Sequence, residues 1–184
     1  MDKSSRSWLE RYRAVQRAVE VLFWVAVIGL QAALGTVVAL IDLRAVRPEL
    51  SWWQPVLWEM SSHLMLLLLV PAIVAWNRRF PLHWDTLRHH VPWHLAGSVV
   101  FSLLHVAGMV AARTGVYTLA GQPYDFGPWL DGWLYEYLKD VRTYLLIVGV
   151  LTGYRLLLLR MQGEARVLDA PEAAGLVSTY LAAK

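Results

Sequence analysis

Residues 21–41 read VLFWVAVIGLQAALGTVVALI. Gln31 and Thr36 are the polar interruptions and no charge falls inside the run, so at 1.5 Å per residue it crosses about 30 Å of hydrocarbon as one helix. Three further apolar stretches repeat the pattern. One runs from about Val56 to Trp76, with Glu59, Ser61, Ser62 and His63 near its start and Pro71 near its end. Another runs from about Trp93 to Ala112, opened by Pro92 at a position where a first helical turn tolerates the missing N–H. The last is the apolar run Thr143 to Leu159, broken by Arg155 and preceded by Glu136, Lys139, Asp140 and Arg142. A span of about 21 residues ending at Leu159 begins near Lys139, with those charges at headgroup depth.

Composition agrees with this reading. Of 184 residues, 57% are hydrophobic and 17% charged, against about 25% charged in a soluble domain. There is no cysteine, which excludes disulfide scaffolds, thiolate zinc sites and iron–sulfur clusters. The expected fold is an all-α polytopic membrane protein. A four-transmembrane-helix bundle (residues 21–160) follows a cytoplasmic amphipathic leader (residues 1–20) and precedes a cytoplasmic linker or tail (residues 161–184). In the leader, Ser7-x-x-Glu10 reads as a capping box, and Arg6, Glu10, Arg13 and Arg17 recur at helical spacing, which predicts an interfacial helix. The connections predicted between spans run from Asp42 to Pro55, from Asn77 to Pro92, and from Arg113 to about Leu138.

The sequence pI of about 9.3 is explained by where the cations fall. Lys3, Arg6, Arg11, Arg13, Arg17, Arg78, Arg79, Arg88, Arg155, Arg160, Arg166 and Lys184 lie on one side of the predicted spans. Arg44, Arg47, Arg113, Lys139 and Arg142 lie on the other, a bias of twelve to five. The positive-inside rule then puts both termini in the cytoplasm, with the chain in a bacterial inner membrane. Tryptophans collect at both boundaries: Trp24, Trp76 and Trp93 at inner ends, and Trp52, Trp53, Trp58, Trp129 and Trp133 at outer ends. The partner so implied is the lipid bilayer, and direct nucleic-acid binding by this chain is not expected.

Signatures of soluble enzymes are missing: no Gly-rich phosphate loop, no H-E-x-x-H and no G-x-S-x-G. Neither enzymatic activity nor a cofactor is expected. Function is sought among intramembrane polar residues, since an ionisable group there is costly. His94, Ser98, Ser102 and His105 fall within about 80° on one face of the third span. Glu59 and His63 share a face of the second, and Glu136, Asp140 and Thr143 a face of the fourth. His63 lies roughly 10 Å and His105 roughly 12 Å from the outer ends of their spans. Glu59, His63, His105, Glu136 and Asp140 can therefore form one polar cluster in the outer half. It would serve as an interhelical hydrogen-bond network, as a sensing site for a proton, metal or small molecule, or, through His63 and His105, as a bis-histidine haem site in a small redox protein. A Soret band in protein expressed with ample haem would mark that last alternative. His83, His89, His90 and His94 crowd the second connection as headgroup contacts or metal ligands. Gly149-x-x-x-Gly153 is a close-packing motif for the bundle or for a homodimer. Pro71 predicts a kink.

Several short runs carry a resemblance. Arg78-Arg79-Phe80-Pro81-Leu82, Pro92-Trp93-His94-Leu95-Ala96, Phe101-Ser102-Leu103-Leu104-His105, Tyr135-Glu136-Tyr137 with Lys139-Asp140, and Tyr154-Arg155-Leu156-Leu157 stand in order along the chain. Together they resemble the membrane domain of bacterial LytTR-type DNA-binding transcriptional regulators. Membrane regions of LytS-like sensor histidine kinases share similar patterns. The resemblance covers roughly Trp58 to Pro171 and implies a membrane-embedded sensor or anchor module that leads through Leu168-Asp169-Ala170-Pro171 toward an output domain. The thirteen residues after Pro171 cannot form a LytTR domain, so DNA binding is expected from a downstream regulatory protein or from a LytTR domain outside this sequence.

Overall fold

The structure is a computed structural model. It describes the backbone of residues 3–83 and 85–182 and the side chains of residues 15–83 and 85–160. The element order is α1 (Lys3–Val46), α2 (Trp53–Arg79), α3 (Leu87–Leu119) and α4 (Trp129–Ala182). All four helices are long and apolar enough to cross a membrane. The 27 residues of α2 extend about 40 Å, beyond the roughly 30 Å of a hydrocarbon core.

Helices outlast their apolar runs, because a backbone that has begun an α-helix keeps its hydrogen bonds through the headgroup region until a turn residue stops it. The connections are correspondingly shorter than the hydropathy pattern predicts: residues 47–52, 80–86 and 120–128. α3 begins at Leu87, so Pro92 lies in its second turn rather than its first. Thr86 Oγ1 donates to Pro81 O at 3.2 Å and His90 Nδ1 lies 2.7 Å from the same carbonyl, anchoring this early start. α2 continues through Pro71. α4 begins at Trp129, so Lys139 and Asp140 sit inside the helix and not at its entry. The third connection closes on Gly121 and Gly127, whose φ values of 68° and 81° suit glycine. Asp125 Oδ1 accepts from Gly127 N at 2.7 Å to complete the turn.

The leader is not a separate helix, since α1 is continuous from Lys3. Ser7 therefore lies within the helical backbone and not at its cap. The side chains of that capping box, and those of the 161–184 tail, lie outside the described residues, although the tail's backbone stays helical to Ala182.

The chain divides into two units, residues 21–149 and the segments 1–20 with 150–184. In the second unit Gln16 Nε2 donates to Glu20 Oε1 at 2.8 Å across one helical turn. The first unit holds the core. Trp24, Ile28 and Ala32 are buried at four-residue spacing on α1, with Leu66, Val70 and Ile73 on α2, Phe101, Val106 and Met109 on α3, and Tyr144, Ile147 and Val148 on α4. Buried among them are Ser61, Asn77, His94, Ser98, Ser102, His105 and Asp140, while Leu22, Leu34, Leu68, Leu95 and Leu145 are exposed. Polar groups inside and leucines outside suit a molecule whose solvent is lipid, where a polar group finds partners only within the protein.

Close approach of backbone fixes two contacts. A Cβ on Gly35 of α1 would lie 2.6 Å from Glu59 Oε2 of α2. One on Gly97 of α3 would lie 2.6 Å from Trp76 Nε1 and 2.8 Å from Tyr144 OH. Both groups at Gly97 sit on stiff rings held by hydrogen bonds. Gly97→Ala is therefore expected to destabilise the fold by about 1–3 kcal/mol through overpacking. Gly115→Ala, on the same helix but facing open space, is expected to be neutral or to stabilise by up to about 1 kcal/mol. Thermal melting of both variants in detergent checks the pair.

Candidate functional site

The stripe on α3 is built by spacing: Ser98, Phe101, Ser102 and His105 recur at three and four residues, which keeps them on one helix face. On α4, Tyr137, Asp140 and Tyr144 do the same. Where the stripes meet, Ser102 Oγ donates to Asp140 Oδ2 at 2.6 Å, and His105 Nδ1 lies 2.9 Å from Asp140 Oδ1. The exposures are 0% for Ser102 and 4% for both His105 and Asp140. The His105–Asp140 contact has ion-pair distance but is off the hydrogen-bond axis, so Nδ1 forms no aligned bond. The other ring nitrogen reaches α2, with His105 Nε2 3.0 Å from Ser62 O and 3.1 Å from Ser62 Oγ. Phe101 stacks on the imidazole at 5.8 Å and 4°. The result is a buried polar chain, Ser62–His105–Asp140–Ser102, through α2, α3 and α4.

Donor and acceptor roles follow from the partners. A backbone carbonyl only accepts whereas a hydroxyl does both, so His105 Nε2 serves either as donor to the Ser62 carbonyl or as acceptor from the Ser62 hydroxyl. The opposite nitrogen faces a carboxylate.

Two relays lie nearer the α2–α3 connection. Ser98 Oγ and Tyr137 OH are 3.3 Å apart. His94 Nε2 donates to Phe80 O at 2.8 Å, while His94 Nδ1 and Tyr144 OH meet at 3.0 Å. Phe80 in turn stacks on Trp93 at 5.0 Å and 8°, and Trp76 Nε1 donates to Trp93 O at 3.1 Å. At the opposite end Arg113 donates to Ser61 Oγ at 3.0 Å, to Trp58 O at 2.9 Å and to Tyr124 OH at 3.2 Å. Trp58 Nε1 donates to Tyr117 OH at 3.1 Å beside it.

The five residues expected to form one cluster fall into three contact groups. His105 and Asp140 pair in the core. Glu59 and His63 pair along α2: His63 Nδ1 donates to Glu59 O at 2.9 Å with the carboxylate 3.7 Å away, and both face Gly35 of α1. Glu136 accepts from Lys139 at 2.7 Å, and that ammonium also lies 5.2 Å from the Tyr135 ring. Glu136 shares a helix face with Asp140, but its carboxylate is taken by Lys139 one turn along its own helix. For bis-histidine ligation, both His105 nitrogens and one of His63 are already engaged by protein groups. Among the described residues no group of three or more His, Asp or Glu is arranged to hold a metal ion. Of the histidines expected in the second connection, His90 and His94 lie in α3, where His90 meets Pro81 O and His94 meets Phe80 O and Tyr144 OH. Among the described residues nothing lies within 4 Å of a Cβ added at Gly149 or Gly153.

Sequence reasoning passed over Ser62, Arg113, Tyr137 and Tyr144. The heptad Tyr137-x-x-Asp140-x-x-x-Tyr144 marks one face and could have pointed to the two tyrosines. Nothing local distinguishes Ser62 from Ser61. Comparison with known protein families, with curated proteins and with solved structures finds no match for this chain.

Removing either partner of the Ser102–Asp140 bond tests the chain. Ser102→Ala takes one donor from the carboxylate and is expected to cost about 0.6–1.5 kcal/mol, the range of single interhelical and intramolecular hydrogen bonds. Asp140→Ala leaves Ser102 and His105 unpartnered in the core and should cost more, about 1–3 kcal/mol per orphaned group at most. Melting in detergent should rank wild type above Ser102→Ala and Ser102→Ala above Asp140→Ala.

Proposed function

We propose that this chain is a membrane-embedded input module of a bacterial LytTR-like transcriptional regulator, set in the inner membrane with both termini cytoplasmic. The observation that carries the reading is the position of Asp140. It is buried against α3 by Ser102 and His105, and it belongs to the helix whose backbone continues to Ala182. A change at this carboxylate acts on the same element that leads out of the bundle. The twelve-to-five distribution of Lys and Arg supports the orientation. The ordered runs from Arg78 to Leu157 support the LytTR-like context, which rests on those residues alone. The output partner is a regulatory protein or a LytTR-type domain, with a second copy of the chain as a further partner. The redox or metal reading is less favoured, since His105 Nε2 meets Ser62 and its Nδ1 faces Asp140, and among the described residues no group of three or more His, Asp or Glu is arranged to hold a metal ion.

Two measurements test the proposal. Reporters active only in the cytoplasm, fused to either end, should both be active; an inactive carboxyl-terminal reporter overturns the orientation. A chimera bearing a dimer-dependent DNA-binding domain after Lys184 should change its reporter output severalfold when Asp140→Asn is introduced. Leu104→Ala, at an exposed position of α3, should leave that output unchanged. Unchanged output from Asp140→Asn, at wild-type membrane levels, reduces the module to an anchor and overturns the input role.

A further inference from the structure

Leu40, Leu43, Arg44 and Arg47 stand at i, i+3, i+4 and i+7, one face of a helix. The helical hydrogen-bond pattern holds to the end of that series, with Arg47 N donating to Leu43 O at 2.7 Å just past the last residue of α1. The first connection then turns back sharply. Leu50 N donates to Arg47 O at 3.2 Å, Gln54 N to Ser51 O at 3.1 Å and Ser51 N to Gln54 Oε1 at 3.0 Å, so the turn is held by its own bonds. Trp52 and Pro55 come opposite the end of α1, and together with Leu40, Leu43, Arg44 and Arg47 they line a cavity of about 210 Å³.

Charge in this cavity is unbalanced. Among the described residues no carboxylate lies within ion-pair distance of Arg44 or Arg47, and no hydrogen bond engages either guanidinium. Asp42, two residues before Arg44, points about 200° around the helix from it, and Glu49 does not line the cavity. Like charges one turn apart on a helix destabilise it. An anion received by both guanidiniums reverses that repulsion. Of the five cations on the base-poor side of the spans, these two share one cavity.

We propose that Arg44 and Arg47 form a phosphate site, in which their guanidiniums hold the phosphate of a membrane phospholipid whose acyl chains run along Leu40 and Leu43. The planar fork of a guanidinium matches phosphate oxygens two at a time. The site lies directly after the charge-free run 21–41, at the depth where a spanning helix leaves hydrocarbon for headgroups. Trp52, exposed in the wall, is a residue type that collects at that level. The volume is below the roughly 300 Å³ at which sites for drug-sized ligands begin, and it suits a headgroup fragment. A water-soluble phosphoester offers the same charge but makes no use of the leucines. Phosphates line both faces of a bilayer, so the site stands whichever way the chain is oriented and apart from the input role.

The experiment uses the full chain in a maltoside detergent, whose headgroup is uncharged, with native mass spectrometry to count bound molecules. The probes are phosphatidylglycerol, diacylglycerol with the same chains, and glycerol 3-phosphate. One phosphatidylglycerol should bind ahead of any further copies. Hydrogen bonds to charged groups contribute about tenfold or more in binding when buried, and the exposure of both arginines lowers the expected loss to about fivefold for Arg44→Gln or Arg47→Gln. Both variants should melt with the wild type, since neither side chain bonds within the protein. Arg142→Gln, which removes one exposed charge from α4, should leave the affinity unchanged. No preferred first lipid, or an equal loss in Arg142→Gln, overturns the site. Displacement by diacylglycerol at equal concentration overturns the role of phosphate. Displacement by glycerol 3-phosphate at equal concentration keeps the phosphate site and overturns the lipid as its source.

Discussion

A carboxylate among hydrocarbon side chains has to be met by hydrogen-bond donors or by a cation, and the contacts of Asp140 set how α3 and α4 face each other. Leaving a charge unpaired in such a medium costs several kcal/mol or more, which exceeds what any single apolar contact returns. Ser102 and His105, three residues apart on α3, bring a hydroxyl donor and an imidazole nitrogen to one carboxylate. Tyr144 turns to His94 and Tyr137 to Ser98, so successive turns of the two helices are matched in register. Sliding α4 by one turn, about 5.4 Å, would put a tyrosine ring where the carboxylate sits and break all three contacts together. Apolar packing between membrane helices is tolerant of register because lipid is as apolar as leucine. The buried polar pairs remove that tolerance.

The two ends of the α2–α3 hairpin are held by a different chemistry. At one end the guanidinium of Arg113 joins Trp58 and Ser61 of α2 to Tyr124 of the third connection, using acceptors that carry no charge. At the other end Trp76, Phe80 and Trp93 pack as a ring cluster whose Trp76 indole donates to the Trp93 carbonyl near the start of α3. Amphipathic rings of this kind are most stable at the boundary between hydrocarbon and headgroups. α4 is attached both by buried polar contacts and by Tyr144, Ile147 and Val148 in the core.

The number and approximate place of the spans were legible from apolar runs free of charge, and residues 21–41 alone required a membrane. Helix ends were less legible, because hydropathy reports where lipid is and not where a backbone stops hydrogen bonding. Thr86 and His90 close onto Pro81, and α3 therefore starts five residues before Pro92. Asp140 and His105 were legible as intramembrane ionisable groups. Their pairing was not, since spacing assigns residues to a face of one helix and is silent on which neighbour that face meets. Glu59, His63 and Glu136 looked equivalent to them by depth and charge.

By itself the sequence determined that four helices lie in lipid, which residues share a face, and that polar side chains must find partners within the protein. Those are consequences of solvent and helical period. Tertiary structure alone decided the partners: Asp140 with Ser102 and His105, His63 with Glu59, and Glu136 with Lys139. The reason is geometric. A hydrogen bond needs atoms within about 3 Å, whereas a helical wheel fixes direction only to within tens of degrees and depth to within a turn. The rotation and register of packed helices supply the remaining precision.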